Sequence, residues 1–182
     1  MPGRDRDDAR SGGTIVAHRA LVAYERPDGR YDVHTSRLGG LDCRLARRIS
    51  HTDPYASGDV DPEPNVVARP FEHALTMVDL ARHEAVYRVG IDYGIRTYLP
   101  LWFGLDHYVG PDAPADRGLV VAVDGPNDAA RLRRWLQTAK GVLADGISEG
   151  VLGMTDAYRI LEEAVRTRVD GEVHDPWQTD EY

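Results

Sequence analysis

Cysteine and lysine are almost absent from this chain: Cys43 and Lys140 are the only examples among its 182 residues. A single cysteine excludes an intrachain disulfide framework and zinc sites of the CxxC type. No run approaches the ~20 apolar residues that a membrane-spanning helix needs. The N-terminal residues are charged and glycine-containing, and they lack the apolar stretch of a secretory signal. These absences predict a cytoplasmic location and no membrane span.

Arginine therefore dominates the 22 basic residues, and the 30 acidic residues, most of them aspartate, give a net charge of -8. A surface rich in aspartate keeps its bound water in high salt, and a surface poor in lysine exposes fewer of the long apolar side-chain segments that lysine has. Both features suit a salt-rich cytoplasm. A GC-rich genome, which encodes arginine more readily than lysine, is the alternative explanation. The acidic balance argues against nucleic acid as a partner, because non-specific binding depends on Lys and Arg neutralising phosphates.

Familiar catalytic and cofactor motifs are also missing. The chain has no GxGxxG dinucleotide fingerprint, no P-loop and no GxSxG nucleophile elbow. His83-Glu84 begins like a zincin helix, but Tyr87 stands where the second histidine must be. The acidic residues of 59–63 resemble the start of a calcium loop, yet Pro64 occupies the position that needs glycine. The sequence therefore predicts no metal site and no cofactor-binding residues, and it leaves any ligand undefined.

What the sequence does contain is the apolar periodicity of an α+β protein. It predicts a mostly antiparallel sheet of about five strands, with the helices packed on one face and a C-terminal helical hairpin. Pro100 cannot donate to a ladder, so it should mark a sheet edge or a bulge. The predicted strands lie within the hairpin 18–36 and within 85–90, 95–105 and 119–123, and the predicted helices within 41–49, 71–82, 127–147 and 155–169.

Three parts are expected along the chain. Residues 1–15 are predicted to be a disordered tail, because their charged composition offers little apolar surface to bury. Residues 16–170 are predicted to form a single α+β domain, and residues 171–182 a frayed C-terminal tail. The proline-rich stretch 50–70 cannot hold a regular element for long, and we expect it to wrap over the domain with His51, Tyr55 and Val66-Val67 as anchors.

The hairpin 18–36 has the richest mixture of core-like and reactive side chains. Pro27 presets the first turn position, and Gly29 supplies the left-handed residue of a three-residue loop. This loop pairs Glu25 with Tyr31 and sends alternate side chains to opposite faces. One face is apolar and is predicted to be core. The other face is half polar and able to line a cleft; it carries Ala20, Val22, Tyr24, Asp32, His34 and Ser36.

Tyr24, Asp32 and His34 are the candidate catalytic residues. A phenol, a carboxylate and an imidazole on one strand face can together perform general acid–base work. The alternative is that these side chains only hydrogen-bond to their neighbours, on a strand that is partly exposed to solvent, and have no catalytic role. His18 shares the face, but strand spacing places it roughly 13–14 Å from His34, too far for the two to bind one metal ion.

Three functions are considered on this basis. The leading hypothesis is a cytosolic, salt-adapted module without catalysis, acting on a protein partner or as a homo-oligomer through an edge strand or the helical hairpin. The alternative is a small hydrolase or metal-dependent enzyme that uses the Asp32/His34/Tyr24 face, with Glu84 as a further member. A third function, nucleic-acid binding, requires one exposed basic face formed by Arg19, Arg37, Arg44, Arg47 and Arg48.

The run from His18 to Arg26, His-Arg-Ala-Leu-Val-Ala-Tyr-Glu-Arg, with the turn residues Asp28-Gly29, resembles the amino-terminal segment of an uncharacterised protein family of halophilic archaea. The likeness is scattered over most of residues 16–165, and it implies a salt-rich habitat but no activity. The family pattern has Tyr-Ser-His-Trp after the second-strand histidine, where this chain has Thr-Ser-Arg-Leu at 35–38. The missing histidine weakens a metal or catalytic role for the second strand.

The resemblance also predicts where translation begins. The family pattern starts near Val16, and GTG encodes valine but also serves as a start codon. We therefore expect the native chain to begin at residue 16. Mass spectrometry of the N-terminus from cells tests this expectation, and peptides covering residues 1–15 would contradict it.

Overall fold

The computed structural model describes residues 18–105 and 117–177. The predicted tail 1–15, most of the predicted connection 106–118 and the last residues, 178–182, lie outside this description. Within the described part, no helix combines the length and the apolar composition that a membrane crossing requires.

The described elements comprise seven strands, three α-helices and two short 3₁₀ helices. The strands are β1 (Arg19–Glu25), β2 (Tyr31–Ser36), β3 (Val66–Arg69), β4 (His83–Val89), β5 (Ile95–Trp102), β6 (Gly118–Val123) and β7 (Val173–His174). The α-helices are α1 (Phe71–Thr76), α2 (Pro126–Ser148) and α3 (Met154–Arg168), and the 3₁₀ helices are Leu41–Arg47 and Ala56–Gly58. The α2 and α3 helices are the C-terminal pair that the apolar stripes predict.

The β1–β2 hairpin has the register that the turn residues predict. Glu25 lies opposite Tyr31, which confirms the three-residue loop. Gly29 has a φ of 75°, in the left-handed region that favours glycine. The N–H of Arg26 donates to the carbonyl of Arg30 at 2.8 Å and closes the loop.

The seven described strands form one sheet in the order β3-β2-β1-β4-β5-β6-β7. Neighbouring strands are antiparallel except for β1 and β4, which run parallel. The fold is therefore α+β with a mostly antiparallel sheet, as predicted, but the sheet has seven strands and not five. The two additional strands are the edges: β3 lies in the stretch predicted to be irregular, and β7 lies in the tail predicted to fray. With four and two residues, they are too short to leave a periodic pattern.

Different elements cover the two faces of the sheet. On one face, α2 and α3 pack over β5 and β6 through a core that includes Leu99, Val121 and Leu161. The same face is covered over β1 and β4 by the first 3₁₀ helix and the segment after it. The opposite face packs against α1 and the residues that follow, including Phe71 and Leu75. The prediction that the helices gather on one face is therefore wrong, because the short helix α1 covers the other.

Two predicted helices differ from the structure in type or length. The helix predicted over 41–49 is a 3₁₀ helix in which Asp42 and Cys43 have left-handed φ values of 49° and 51°. The helix predicted over 71–82 ends as an α-helix at Thr76. Apolar spacing over so few residues does not distinguish an α-helix from a tight turn.

Pro100 lies in β5, an inner strand of the sheet, opposite Val120 of β6. The pairs between β4 and β5 end at Val86 and Tyr98, and Pro100 lies beyond them. β5 is therefore not an edge strand of the sheet, but at Pro100 its β4 side has no ladder partner, so the residue marks a local edge. A proline is tolerated there because no N–H is needed toward β4.

Leu161 tests the packing of the helical hairpin on the sheet. Its side chain is 0% exposed, whereas that of its neighbour Ile160 is 37% exposed. We expect Leu161→Ala to lower the free energy of unfolding by about 2–5 kcal/mol, because it leaves a cavity in the core, and Ile160→Ala to lower it much less. Urea unfolding followed by circular dichroism measures both variants, and equal losses would contradict this packing.

Candidate functional site

The half-polar face of the β1–β2 hairpin is covered by another part of the chain. Residues 50–65, the covering segment, pass over it and bury Ala56 and Val60 in the same core cluster as Val22. His34 and Ser36 are only 4% exposed as a result. The predicted wrapping of this stretch is thus confirmed, and Tyr55 packs against that cluster, but the predicted anchor Val67 is 52% exposed. The consequence of this wrapping is that the candidate catalytic face lies under protein and does not line an open cleft.

Tyr24 and His34 both hold the covering segment in place. The Tyr24 hydroxyl donates to the carbonyl of Pro54, and His34 donates from Nδ1 to the carbonyl of Asp61 at 2.8 Å. The proton of His34 is on Nδ1, because a carbonyl can only accept. Burial raises the pKa of the Tyr24 hydroxyl, so it stays protonated and keeps donating. The two rings also meet edge to face, with their centroids 5.2 Å apart.

Asp32 lies opposite Tyr24 in the register, as predicted, but it bonds elsewhere. Its Oδ1 accepts from the amide of Ala68 at 2.9 Å, and Ala68 has a left-handed φ of 54°. Arg26 donates to its Oδ2 at 3.0 Å. None of the described hydrogen bonds joins Asp32 to Tyr24 or His34, so the geometry offers no proton path among the three. Their catalytic role stays a prediction.

Glu84, the further member of the enzymatic hypothesis, binds His18 at 2.8 Å. The neighbouring His83 accepts from the amide of Asp79, also at 2.8 Å, and burial lowers the pKa of His83. These contacts fix the start of β4 and leave Glu84 engaged. Across 18–105 and 117–177, no group of three His, Cys, Asp or Glu side chains is placed to hold a metal ion.

Two of the arginines required for a nucleic-acid face are neutralised inside the fold. Arg44 and Arg48 both bind the carboxylate of Asp59 in the covering segment. Arg48 also donates to the carbonyl of Ala56 at 3.2 Å. These contacts fasten the covering segment beside the first 3₁₀ helix, and they leave less free positive charge for phosphates.

A cleft of about 700 Å³ opens on the same sheet face. It lies at the seam where the first 3₁₀ helix, which covers β1 and β4, meets the helices α2 and α3, which cover β5 and β6. It is lined by residues from four separate segments: 43–47, 95–97, 122–132 and 168–171. The first belongs to the 3₁₀ helix and the third to the end of β6 and the start of α2. The cleft is therefore formed where the first 3₁₀ helix and the helical pair α2 and α3 meet over the sheet. It is separate from the hairpin face under the covering segment.

The floor of the cleft is apolar apart from one hydroxyl. Cys43, Val123 and Leu132 are 2%, 8% and 5% exposed. Burial raises the pKa of the Cys43 thiol, which keeps it neutral and a poor nucleophile. Thr97 is 6% exposed and lines the cleft, yet its hydroxyl takes part in none of the described hydrogen bonds. The oxygen itself is not among the described buried atoms that lack a partner, so it opens into the cleft, where it is available to a ligand.

Four exposed arginines surround the mouth of the cleft: Arg47, Arg96, Arg131 and Arg168. Arg96 binds the carboxylate of Glu172, Arg131 binds that of Asp128, and Arg168 lies over the ring of Trp135. Arg47 takes part in none of the described ion pairs or hydrogen bonds. It is therefore the guanidinium most available to an anion.

The N-terminal turn of α2 lines the cleft without a side-chain cap. Gly125, at the N-cap, has a φ of 150° and a ψ of -169°, a conformation that favours glycine. Pro126 has no N–H to satisfy, and the amides of Asn127 and Asp128 occur in none of the described hydrogen bonds. First-turn amides and the positive end of a 23-residue helix together attract negative charge.

Sequence reasoning missed this cleft. Its residues come from segments far apart in the chain, and no local spacing links Cys43 to Thr97 or to α2. The one local signal is Asp124-Gly125-Pro126, where a buried strand ends and a long helix begins with proline. That signal indicates a helix start, but it does not reveal the opposite wall.

Residues 16–59 and 55–174 match a family described as "Family of unknown function (DUF6735)". Comparisons with curated proteins and with solved structures give no match. The family match spans the β1–β2 hairpin, the covering segment and all four segments of the cleft. It therefore applies to both candidate sites without assigning an activity to either.

Tyr24→Phe tests whether the hairpin face holds the covering segment. We expect it to lower the free energy of unfolding by about 1–2 kcal/mol, because the Pro54 carbonyl loses its buried donor. We also expect faster protease cleavage within residues 50–65, measured by limited proteolysis with mass spectrometry. Tyr55→Phe is the control, since the Tyr55 hydroxyl occurs in none of the described hydrogen bonds. Equal effects of the two variants would show that the Tyr24 hydrogen bond does not hold the segment.

Proposed function

The chain belongs to the DUF6735 family of unknown function, and we propose that it is a non-catalytic module that binds a small molecule in the cleft at the seam. The observation that carries this proposal is Thr97, a 6% exposed residue on the cleft floor whose hydroxyl takes part in none of the described hydrogen bonds. The hydroxyl oxygen opens into the cleft, since it is not among the described buried atoms that lack a partner. A ligand that reaches the floor therefore takes the place of water on this hydroxyl.

The size and composition of the cleft support the same proposal. A volume of about 700 Å³ falls within the range of natural small-molecule sites. A few apolar side chains form its floor, while most of its accessible lining is polar, which suits a polar or charged ligand. A protein partner would need a broader exposed surface than this recess.

The absence of catalysis is proposed from the side chains at the cleft. No histidine occurs among the described lining residues, and the one thiol, that of Cys43, is neutral and buried. General acid–base work needs a group that titrates near the operating pH and reaches the substrate. Tyr24 and His34 bond to the covering segment, and Asp32 bonds to Ala68 and Arg26. We propose that all three residues have a structural role.

We further propose a cytoplasmic, salt-adapted setting for this module. The single cysteine and the aspartate-rich, lysine-poor composition support it. A homo-oligomer joined by strand edges has little support, because the edge strands β3 and β7 have only four and two residues. The outer side of the helical hairpin is the surface that a protein partner would use.

A ligand thermal-shift screen in concentrated potassium chloride tests the proposed function. We expect at least one metabolite-sized compound to raise the melting temperature of the protein. Thr97→Val should remove most of that rise, because it replaces the unpaired hydroxyl with a methyl group. Thr138→Val is the matched control, since Thr138 is exposed on α2 and bonds to its own helix at 3.1 Å.

Two results would contradict the proposal. One is a screen in which no compound stabilises the protein, or in which Thr97→Val and Thr138→Val respond alike. The other is turnover of an ester or phosphoester substrate that His34→Ala abolishes while the fold, followed by circular dichroism, stays intact. That second result would restore the enzymatic hypothesis for the hairpin face.

A further inference from the structure

We infer that the molecule bound in the cleft is a phosphorylated metabolite, with its phosphate at the start of α2 beside Arg47 and its organic part on the floor. This inference rests on the proposed function, since it names the chemical class of the ligand for the same site. It concerns four groups that line one cavity: the N-terminal turn of α2, Arg47, Thr97 and the apolar floor.

The phosphate is placed first by the start of α2. This helix has 23 residues, begins without a side-chain cap, and has two first-turn amides outside the described hydrogen bonds. A helix start of this kind offers both N–H donors and a positive potential to an anion. The carboxylate of Asp128 does not cancel this potential fully, because it is paired with Arg131 at 2.6 Å.

Arg47 supplies a charge that the fold does not use. It lines the same cavity from the 3₁₀ helix, and it takes part in none of the described ion pairs. A guanidinium presents several donors in a fixed plane and matches phosphate oxygens well. Helix amides and a guanidinium that line one cavity suit a tetrahedral dianion with several acceptor oxygens.

The cleft is less acidic than the chain as a whole. Acidic residues outnumber basic ones 30 to 22 over the whole chain. The lining has four arginines and three aspartates, and with Arg96 paired to Glu172 and Arg131 to Asp128 the remaining charges are balanced. The cleft therefore lacks the excess of negative charge that would repel an anion.

Thr97 is the independent observation that favours more than a free phosphate ion. This residue is 6% exposed and lies on a floor made with Val123 and Leu132, with its hydroxyl open to the cleft, whereas the arginines lie at the exposed mouth. An inorganic ion held at the mouth would leave the floor and its hydroxyl to water. A phosphate ester with a hydroxyl or carbonyl in its organic part can bind the arginines at the mouth and the Thr97 hydroxyl on the floor. A cavity of about 700 Å³ has room for such a molecule.

Isothermal titration calorimetry on the intact chain, at constant ionic strength in potassium chloride, tests the inference. The probes are glucose 6-phosphate, glycerol 3-phosphate and adenosine 5′-monophosphate, each paired with its unphosphorylated counterpart, together with inorganic phosphate and glucuronate. We expect at least one ester to bind at least tenfold more tightly than both its counterpart and inorganic phosphate.

Three variants locate the binding. Arg47→Gln should weaken the ester by about tenfold or more, as expected for a lost charge-assisted hydrogen bond, while Arg47→Lys retains part of the affinity. Thr97→Val should weaken the ester but leave inorganic phosphate unaffected. Arg37→Gln, an exposed arginine outside the cleft lining, is the matched control and should leave both unchanged.

The failures of the two proposals are distinguishable. If glucuronate or an unphosphorylated compound binds as tightly as any ester, and Thr97→Val still weakens it, the cleft is a ligand site but the phosphate inference is wrong. If inorganic phosphate binds as tightly as every ester, the organic part of the inference is wrong. If no probe binds and the metabolite screen is also negative, both proposals fail.

Discussion

The closure of the β1–β2 hairpin face by residues 50–65 is the constraint on which the rest of this molecule depends. Tyr24, His34 and Ser36 each donate to a backbone carbonyl of that segment, so polar side chains on a strand satisfy polar backbone in a loop. Neither partner could be buried alone without an unpaired group. Once this half of the face is sealed, the helices α2 and α3 need to cover only the other half. The cleft lies where these two covering structures, the first 3₁₀ helix with the covering segment and the pair α2 and α3, meet on the sheet.

The hairpin was predictable because local chemistry decides it. Pro27 and Gly29 select the loop length, the loop selects the register, and the two-residue period then assigns every side chain to a face. The long amphipathic helices were predictable for the same reason. The edge strands β3 and β7 were not, since they owe their conformation to the strands beside them and are too short to have a pattern of their own. The division of helices between the two faces also depends on contacts that periodicity does not record.

The candidate sites show the same division between local and distant information. The sequence placed Tyr24, Asp32 and His34 on one face, and the structure agrees. The sequence did not show whether that face is exposed to solvent. The answer depends on the path of the proline-rich residues 50–65, which have no apolar periodicity from which that path could be predicted. The cleft depended still more on distant contacts, because Cys43, Thr97, Gly125 and Arg168 meet only through the complete fold. The polar residues on the hairpin were therefore visible in the sequence, and in the structure they bond mainly to backbone groups, whereas the cleft is formed by residues that have no shared sequence signal.

The most direct test of this account is a two-dimensional NMR titration of isotope-labelled protein with the phosphate ester that binds most tightly. Because the hairpin face is closed and the seam is open, the two regions should respond differently. The account predicts that the amide signals of Arg47, Thr97 and Asp128 shift together, while those of residues 54–61 stay unchanged. Shifts centred on His34 and the covering segment, with the cleft signals unmoved, would contradict it.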